Sequence, residues 1–143
     1  MRTNTSCTIF NKYVVTGNTL YQRTVISAVE WENRKAVNVI KSGLLEADSA
    51  VIFIPSSNVT TYLKSKAWQA LSTKTGKWTL QNGDVIVKGT VTDEIHAAVV
   101  SPPSAAFTMT DLKAKYDDVI TIRSVDTFDL GSTALQHWKV SGS

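Results

Sequence analysis

Short runs rich in β-branched residues, each ended by a turn signal after about ten residues, constrain this chain more than any other feature. Val, Ile and Thr supply roughly three residues in ten, and these side chains, stiff at χ1, pack well on a pleated surface. Thr8 to Val15 reads as a first strand closed by Thr16-Gly17-Asn18. Tyr21 to Trp31 alternates, with Tyr21, Arg23, Val25, Ser27, Val29 and Trp31 on one face and Gln22, Thr24, Ile26, Ala28 and Glu30 on the other. Glu32-Asn33-Arg34-Lys35 reads as a polar turn, Ala36–Lys41 as a third strand and Ser42-Gly43 as a break. Ala50–Ile54 is a short apolar strand stopped by Pro55, which has no N–H for a ladder.

Ser56 to Lys77 differs, being polar, long and rich in Ser, Thr and Lys. Leu63, Ala67, Ala70 and Leu71 recur there at helical spacing, with Thr60 or Thr61 placed as an N-cap and Trp68 as an anchor. Trp78-Thr79-Leu80 resumes the β pattern, and Asn82-Gly83 within Gln81-Asn82-Gly83-Asp84 supplies a tight hairpin turn to the returning strand Val85–Gly89. Thr90 to Val100 reads as extended, and Ser101-Pro102-Pro103-Ser104 as a break. Thr110 to Tyr116 reads as a short helix capped by Thr110, with Asp111 at its positive end. Val119–Val125 is a strand and Leu135–Val140 the last one. The expected fold is mainly β: a small barrel or sandwich with one or two short helices and a long excursion around residues 56–77, in a single domain over 1–143.

The net charge is +3 and the pI about 9.0, with basic residues spread along the chain. A sequence-specific nucleic-acid binder concentrates them. Cys7 is the single cysteine, so no intrachain disulfide and no multi-cysteine metal site can form. Its expected role is a small residue at a strand start. No apolar run reaches the ~18 residues of a membrane span, and the N-terminus lacks the apolar stretch of a signal peptide. Synthesis in the cytoplasm is therefore expected. Asn4-Thr5-Ser6 and Asn58-Val59-Thr60 match the glycosylation acceptor pattern by chance.

Chemistry finds little to build on. His96 and His137 lie in no chelating spacing. Asp93, Glu94 and His96 are the one acid–imidazole cluster and read as a solvated loop; an enzyme centred on them is the third hypothesis. Asp117-Asp118 reads as turn chemistry. No phosphate-cradling glycine pattern and no Gly-x-Ser-x-Gly occurs. The chain is accordingly expected to be non-catalytic, with no cofactor and no metal. Lys64, Lys66, Lys74 and Lys77, interleaved with Tyr62, Trp68 and Trp78, form the one basic concentration. Such a set can grip a nucleic-acid strand by charge and stacking, or can simply solubilise an excursion that its aromatics pin down.

Several segments together resemble a family of small proteins from the morphogenesis gene clusters of tailed phages and prophages of Gram-positive bacteria. They are Thr8-Ile9-Phe10-Asn11-Lys12, Tyr21–Trp31, Gly43-Leu44-Leu45-Glu46-Ala47-Asp48 with Ile52-Phe53-Ile54-Pro55, and Trp78 through Gly89. Tyr116-Asp117-Asp118-Val119-Ile120-Thr121-Ile122, Ser124-Val125-Asp126 and His137-Trp138-Lys139-Val140 complete the set. The resemblance implies a head-completion or head–tail connector (stopper) subunit in the virion neck. It would assemble with itself as a ring of about six or twelve copies, docking portal or adaptor proteins on the head side and a tail terminator or tail protein on the other. On that reading Ser56–Lys77 projects from the barrel as a channel-facing or docking arm carrying Tyr62, Lys64, Lys66, Trp68, Lys74 and Lys77, in non-specific contact with passing DNA. The alternatives are a tail-completion ring and a monomeric binding module for carbohydrate or peptide, with Tyr13, Tyr21, Trp31 or Trp78 as a stacking platform.

Overall fold

A computed structural model describes residues 3–40, 43–56, 61–98 and 100–143, without the side chains of 34–40, 43–48 and 133. Six antiparallel strands close into a barrel: β1 (Thr5–Val15), β2 (Asn18–Ile40), β3 (Gly43–Pro55), β4 (Val85–Lys88), β5 (Val119–Phe128) and β6 (His137–Gly142). Their order around the barrel is β1-β2-β3-β6-β5-β4, and β4 closes it by pairing Cys7↔Lys88 through Phe10↔Val85. Helices α1 (Ser65–Gln69) and α2 (Met109–Lys115) lie in the connections. The expected mainly-β fold is the one observed.

The β1–β2 hairpin turns at Thr16-Gly17, where both residues take positive φ (51° and 78°). That pair of left-handed residues matches the twist of the flanking strands. Strict alternation along β2 fails at one place. The register with β1 shifts between Thr5↔Val29 and Cys7↔Ile26, so β2 carries one extra residue there. A bulge of this kind swaps the faces on either side of it. Ile26, Val29 and Trp31 therefore all turn inward, while Val25 stays exposed.

The polar turn expected at Glu32-Asn33-Arg34-Lys35 does not exist. β2 runs straight through it, paired in unbroken register from Glu30↔Phe53 to Ile40↔Gly43. None of these four residues takes a positive φ, and none is a proline, so their polarity does not make a reversal. Residues 36–40 continue β2 instead of forming a separate strand; Lys41, the end of that expected strand, and Ser42, the start of the expected break, lie outside the described residues.

The barrel interior holds Cys7, Ile9, Ile26, Val29, Trp31, Ile52, Ile54, Ile86, Ile122, Trp138 and Val140. Trp78 and Leu80 join them although neither lies in a strand. The 78–80 segment thus enters the barrel and fills it from one mouth. Rings of Tyr62, Trp78 and Trp138 meet at centroid distances of 5.1, 4.4 and 5.6 Å. Each large side chain buried this way is worth about 1.5–3 kcal/mol. The expected hairpin between 78–80 and 85–89 is replaced by this insertion: the Asn82-Gly83 turn forms, with Gly83 at φ 92°, but β4 pairs with β1 and β5.

A second cluster covers the outer face of β1 and β4, where Phe10, Val85 and Val87 pack against Val91 and Leu112. Helix α2 is held there by a capping box. Thr108 Oγ1 accepts the Asp111 N–H at 3.3 Å, and the Asp111 carboxylate accepts the Thr108 N–H at 2.9 Å. The cap is thus Thr108, two residues before the expected Thr110; Asp111 keeps its expected place in the first turn.

Candidate functional site

The expected projecting arm folds back onto the barrel over its described residues, 61–77. Thr61 accepts the Trp78 N–H at 3.3 Å and Leu63 donates to the Trp78 carbonyl at 3.0 Å, a short parallel bridge. The cap is Lys64, with no side-chain bond, and not Thr61; Thr60 and the Asn58 acceptor pattern lie outside the described residues. The expected stripe is not the buried one. Ala67 and Ala70 are exposed, whereas Trp68 is fully buried.

Trp68 anchors the excursion as expected. Its indole N–H donates to the Lys77 carbonyl at 3.1 Å, and its ring meets Tyr13 edge-on at 5.8 Å. Lys74 Nζ sits over both rings, 5.0 Å from Tyr13 and 5.2 Å from Trp68, and donates to the Leu71 carbonyl at 2.7 Å. Of the six residues expected to face a channel or partner, Lys64, Lys66 and Lys77 are exposed. Tyr62, Trp68 and Lys74 hold the excursion down.

Beneath it lies a polar node that the sequence pattern does not announce. Buried Asn11 donates to the Thr79 carbonyl at 2.8 Å and to Asp84 Oδ2 at 2.9 Å. Asp84 Oδ2 also accepts from Gln81 Nε2 at 2.7 Å, and Oδ1 accepts the Lys12 N–H at 3.2 Å. Burial pushes the Asp84 carboxyl above its ordinary range, against the lowering by these hydrogen bonds and by the Lys12 charge. Gln69 then bridges Gln81 Oε1 (2.8 Å) and the Lys12 carbonyl (3.0 Å). The node opens into a shallow cleft of about 330 Å³ beside Tyr13 and Asn82. Both Asp84 carboxylate oxygens accept hydrogen bonds from within the fold, so the node works first as a joint between β1, the 78–84 loop and α1.

Asp93, Glu94 and His96 are not brought together on one another. Asp93 accepts from Lys115 Nζ at 2.7 Å and from the Tyr116 hydroxyl at 2.6 Å, and these hydrogen bonds lower its carboxyl. Glu94 faces Arg23 at 3.6 Å, and His96 Nδ1 contacts the Ala97 carbonyl. Among the described residues no group of three or more His, Cys, Asp or Glu could hold a metal ion. Of the four expected platform aromatics, Trp31 and Trp78 are core residues, 4% and 0% exposed, whereas Tyr13 and Tyr21 are half-buried. Cys7 is buried as expected, and desolvation pushes its thiol up to about 12.

The feature missed in the sequence is the outer half of the β2–β3 hairpin. β1 leaves β2 at Val29, and β6 leaves β3 at Ala50. Beyond these points seven pairs, Arg34↔Ser49 to Ile40↔Gly43, form a two-stranded ribbon that no third described strand joins. At a strand rise of about 3.3 Å it reaches about 23 Å. The missing Gly and Pro between Asn18 and Ile40 were the signal that could have revealed it.

Among the described residues no helix is long and apolar enough to cross a membrane. No curated protein and no solved structure matches the chain. One family model does, over residues 2–143, and on that match the chain belongs to the family of unknown function DUF6751.

Proposed function

We propose that this chain is a structural subunit of a ring in the neck of a tailed phage, a head-completion or stopper component joining the portal side to the tail side. The observation that carries the reading is the division of labour in the fold. The barrel is closed and has no edge of its own, while one long ribbon leaves it with both edges unpaired by any described strand. A lone two-stranded ribbon is marginal in water and gains stability from a third strand. A subunit built for assembly has use for such an element; a monomeric binding module has none. That rival also loses two of its four platform aromatics, Trp31 and Trp78, to the core. The segments resembling phage morphogenesis proteins supply the setting.

The basic excursion takes a smaller part in this reading. Lys64, Lys66 and Lys77 remain exposed on a segment clamped to the barrel. They would meet DNA in a channel through charge, without reading sequence.

The test is genetic and structural. Inactivating the gene in an inducible prophage should yield filled heads and free tails that fail to join, and the chain should be found at the neck of intact particles. Normal particle yield, with the chain absent from purified particles, would end the connector reading.

A further inference from the structure

We infer that the β2–β3 ribbon joins copies of this chain through unlike edges, the β2 edge of one copy pairing with the β3 edge of the next. The inference deepens the ring reading and rests on it for closure of the array; pairing between two copies stands on the ribbon alone.

Three observations choose a second copy, and this polarity, as the occupant. First, β1 pairs with β2 as far as Val29, and the Asn4 amide carries that pairing on to Trp31. Asn4 Nδ2 donates to the Trp31 carbonyl at 3.2 Å and Asn4 Oδ1 accepts the Trp31 N–H at 3.0 Å. Past that clamp no described strand reaches residues 34–40, and past the Ala50↔Gly142 pair none reaches 43–48. In an antiparallel ladder alternate residues present their N–H and C=O outward, so each edge is a template for another strand.

Second, two of the devices that blunt an edge, proline and the bulge, are missing from the described ribbon. Residues 33–40 and 43–49 contain no proline, and the register between them runs without a bulge. Apolar and β-branched residues (Val37, Val39, Ile40, Leu44, Leu45) fill much of their length.

Third, the two edges carry opposite charge. Arg34 and Lys35 stand on the β2 side with no acid between residues 33 and 40; Glu46 and Asp48 stand on the β3 side with no base between 43 and 49. Pairing like edges lays strands of like charge side by side, and any register that sets those charges opposite one another destabilises the sheet. Pairing unlike edges repeats between copies the Lys35↔Asp48 match already present within each ribbon. An unlike-edge contact is head-to-tail, and it closes into a ring when the rotation between copies permits.

The experiment uses two full-length variants that each add one cysteine, Ala36→Cys and Ala47→Cys, under mild oxidation at high protein concentration. Cys7 stays out of the exchange because its thiol is buried and held near about 12. The mixture should cross-link into dimers, and each variant alone should not. Self-cross-linking of either variant as strong as that of the mixture overturns the polarity. A second measurement covers a sheared register. The Arg34→Glu/Lys35→Glu chain should self-associate about tenfold or more weakly than the wild type in sedimentation velocity, and mixing it with the Glu46→Lys/Asp48→Lys chain should restore association. Wild-type chain that stays monomeric at every concentration, with no cross-link in the mixture, overturns the pairing. Copies that join although the chain is absent from phage particles would sink the connector reading and leave the pairing intact. A chain found in the neck that never pairs through the ribbon would do the reverse.

Discussion

The side chain of Asn11 holds the backbone of Thr79 as a neighbouring strand would. Its Nδ2 donates to the Thr79 carbonyl at 2.8 Å and its Oδ1 accepts the Thr79 N–H at 3.1 Å. Thr79 lies between Trp78 and Leu80, which fill the barrel from outside the sheet. Backbone that enters a core must still have its polar groups satisfied. Asn11 is therefore the reason an irregular segment can be buried there.

Asn11→Ala should accordingly destabilise the fold by about 2–4 kcal/mol, because it orphans a buried N–H and a buried carbonyl together. Urea denaturation is the measurement, with a lowered midpoint at an unchanged slope. A loss no larger than that of a surface alanine substitution would show that water replaces the amide.

Asp84 next to it gives a pH signature. Its folded-state value is raised by burial. A raised carboxyl stabilises the fold fully below its unfolded value, about 3.9, and loses that stabilisation as pH rises through the folded value. In Asp84→Asn one acceptor becomes a donor facing the Gln81 and Asn11 amides or the Lys12 N–H. The variant should therefore be less stable by about 1–3 kcal/mol in acid, with the deficit shrinking as pH climbs above the ordinary aspartate value. Asp93 and Asp111, lowered by their hydrogen bonds, work with the opposite sign, losing their stabilisation as pH falls. They are common to both proteins and cancel in the difference. A deficit that grows with pH would contradict the assignment.

The helix cap offers a test between two threonines two residues apart. Thr108→Ala removes the hydroxyl that accepts the Asp111 N–H, leaving the backbone N–H of residue 108 on the Asp111 carboxylate, and should cost about 1 kcal/mol, read as a lowered Tm. Thr110→Ala should be close to silent, since Thr110 is exposed and the cap lies two residues earlier. Equal effects at both positions would mean that helix propensity, not capping, is being measured.

The strands of the barrel were legible because their residues report local physics: β-branched runs, the Thr16-Gly17 reversal, the stop at Pro55. What stayed hidden depends on partners far along the chain. Polarity at Glu32-Asn33-Arg34-Lys35 looks the same whether a strand ends there or leaves the barrel for solvent. Trp78-Thr79-Leu80 alternates like a strand, and only the Asn11 amide, 68 residues away, explains why it is not one. The Lys-rich excursion has the composition of a free arm, yet the buried Trp68 ring decides otherwise. Apolar content could place Trp68 as an anchor; it could not say that the anchor wins over the surrounding charge.

That last contest can be measured directly. A projecting arm would contribute nothing to global stability, whereas a clamped one contributes through Trp68, its bond to Lys77 and the Lys74 ammonium above its ring. Trp68→Ala should cost about 3–5 kcal/mol, in the range for deleting a fully buried aromatic. Lys74→Met keeps the packing volume but removes the cation and its carbonyl bonds, and should cost about 1 kcal/mol. Native-state hydrogen exchange should show residues 61–77 opening first in Trp68→Ala, before the β1–β4 ladder. If the variant unfolds with the wild-type midpoint and the same exchange pattern, the excursion is not clamped in solution, and its four lysines regain the reach first expected of them.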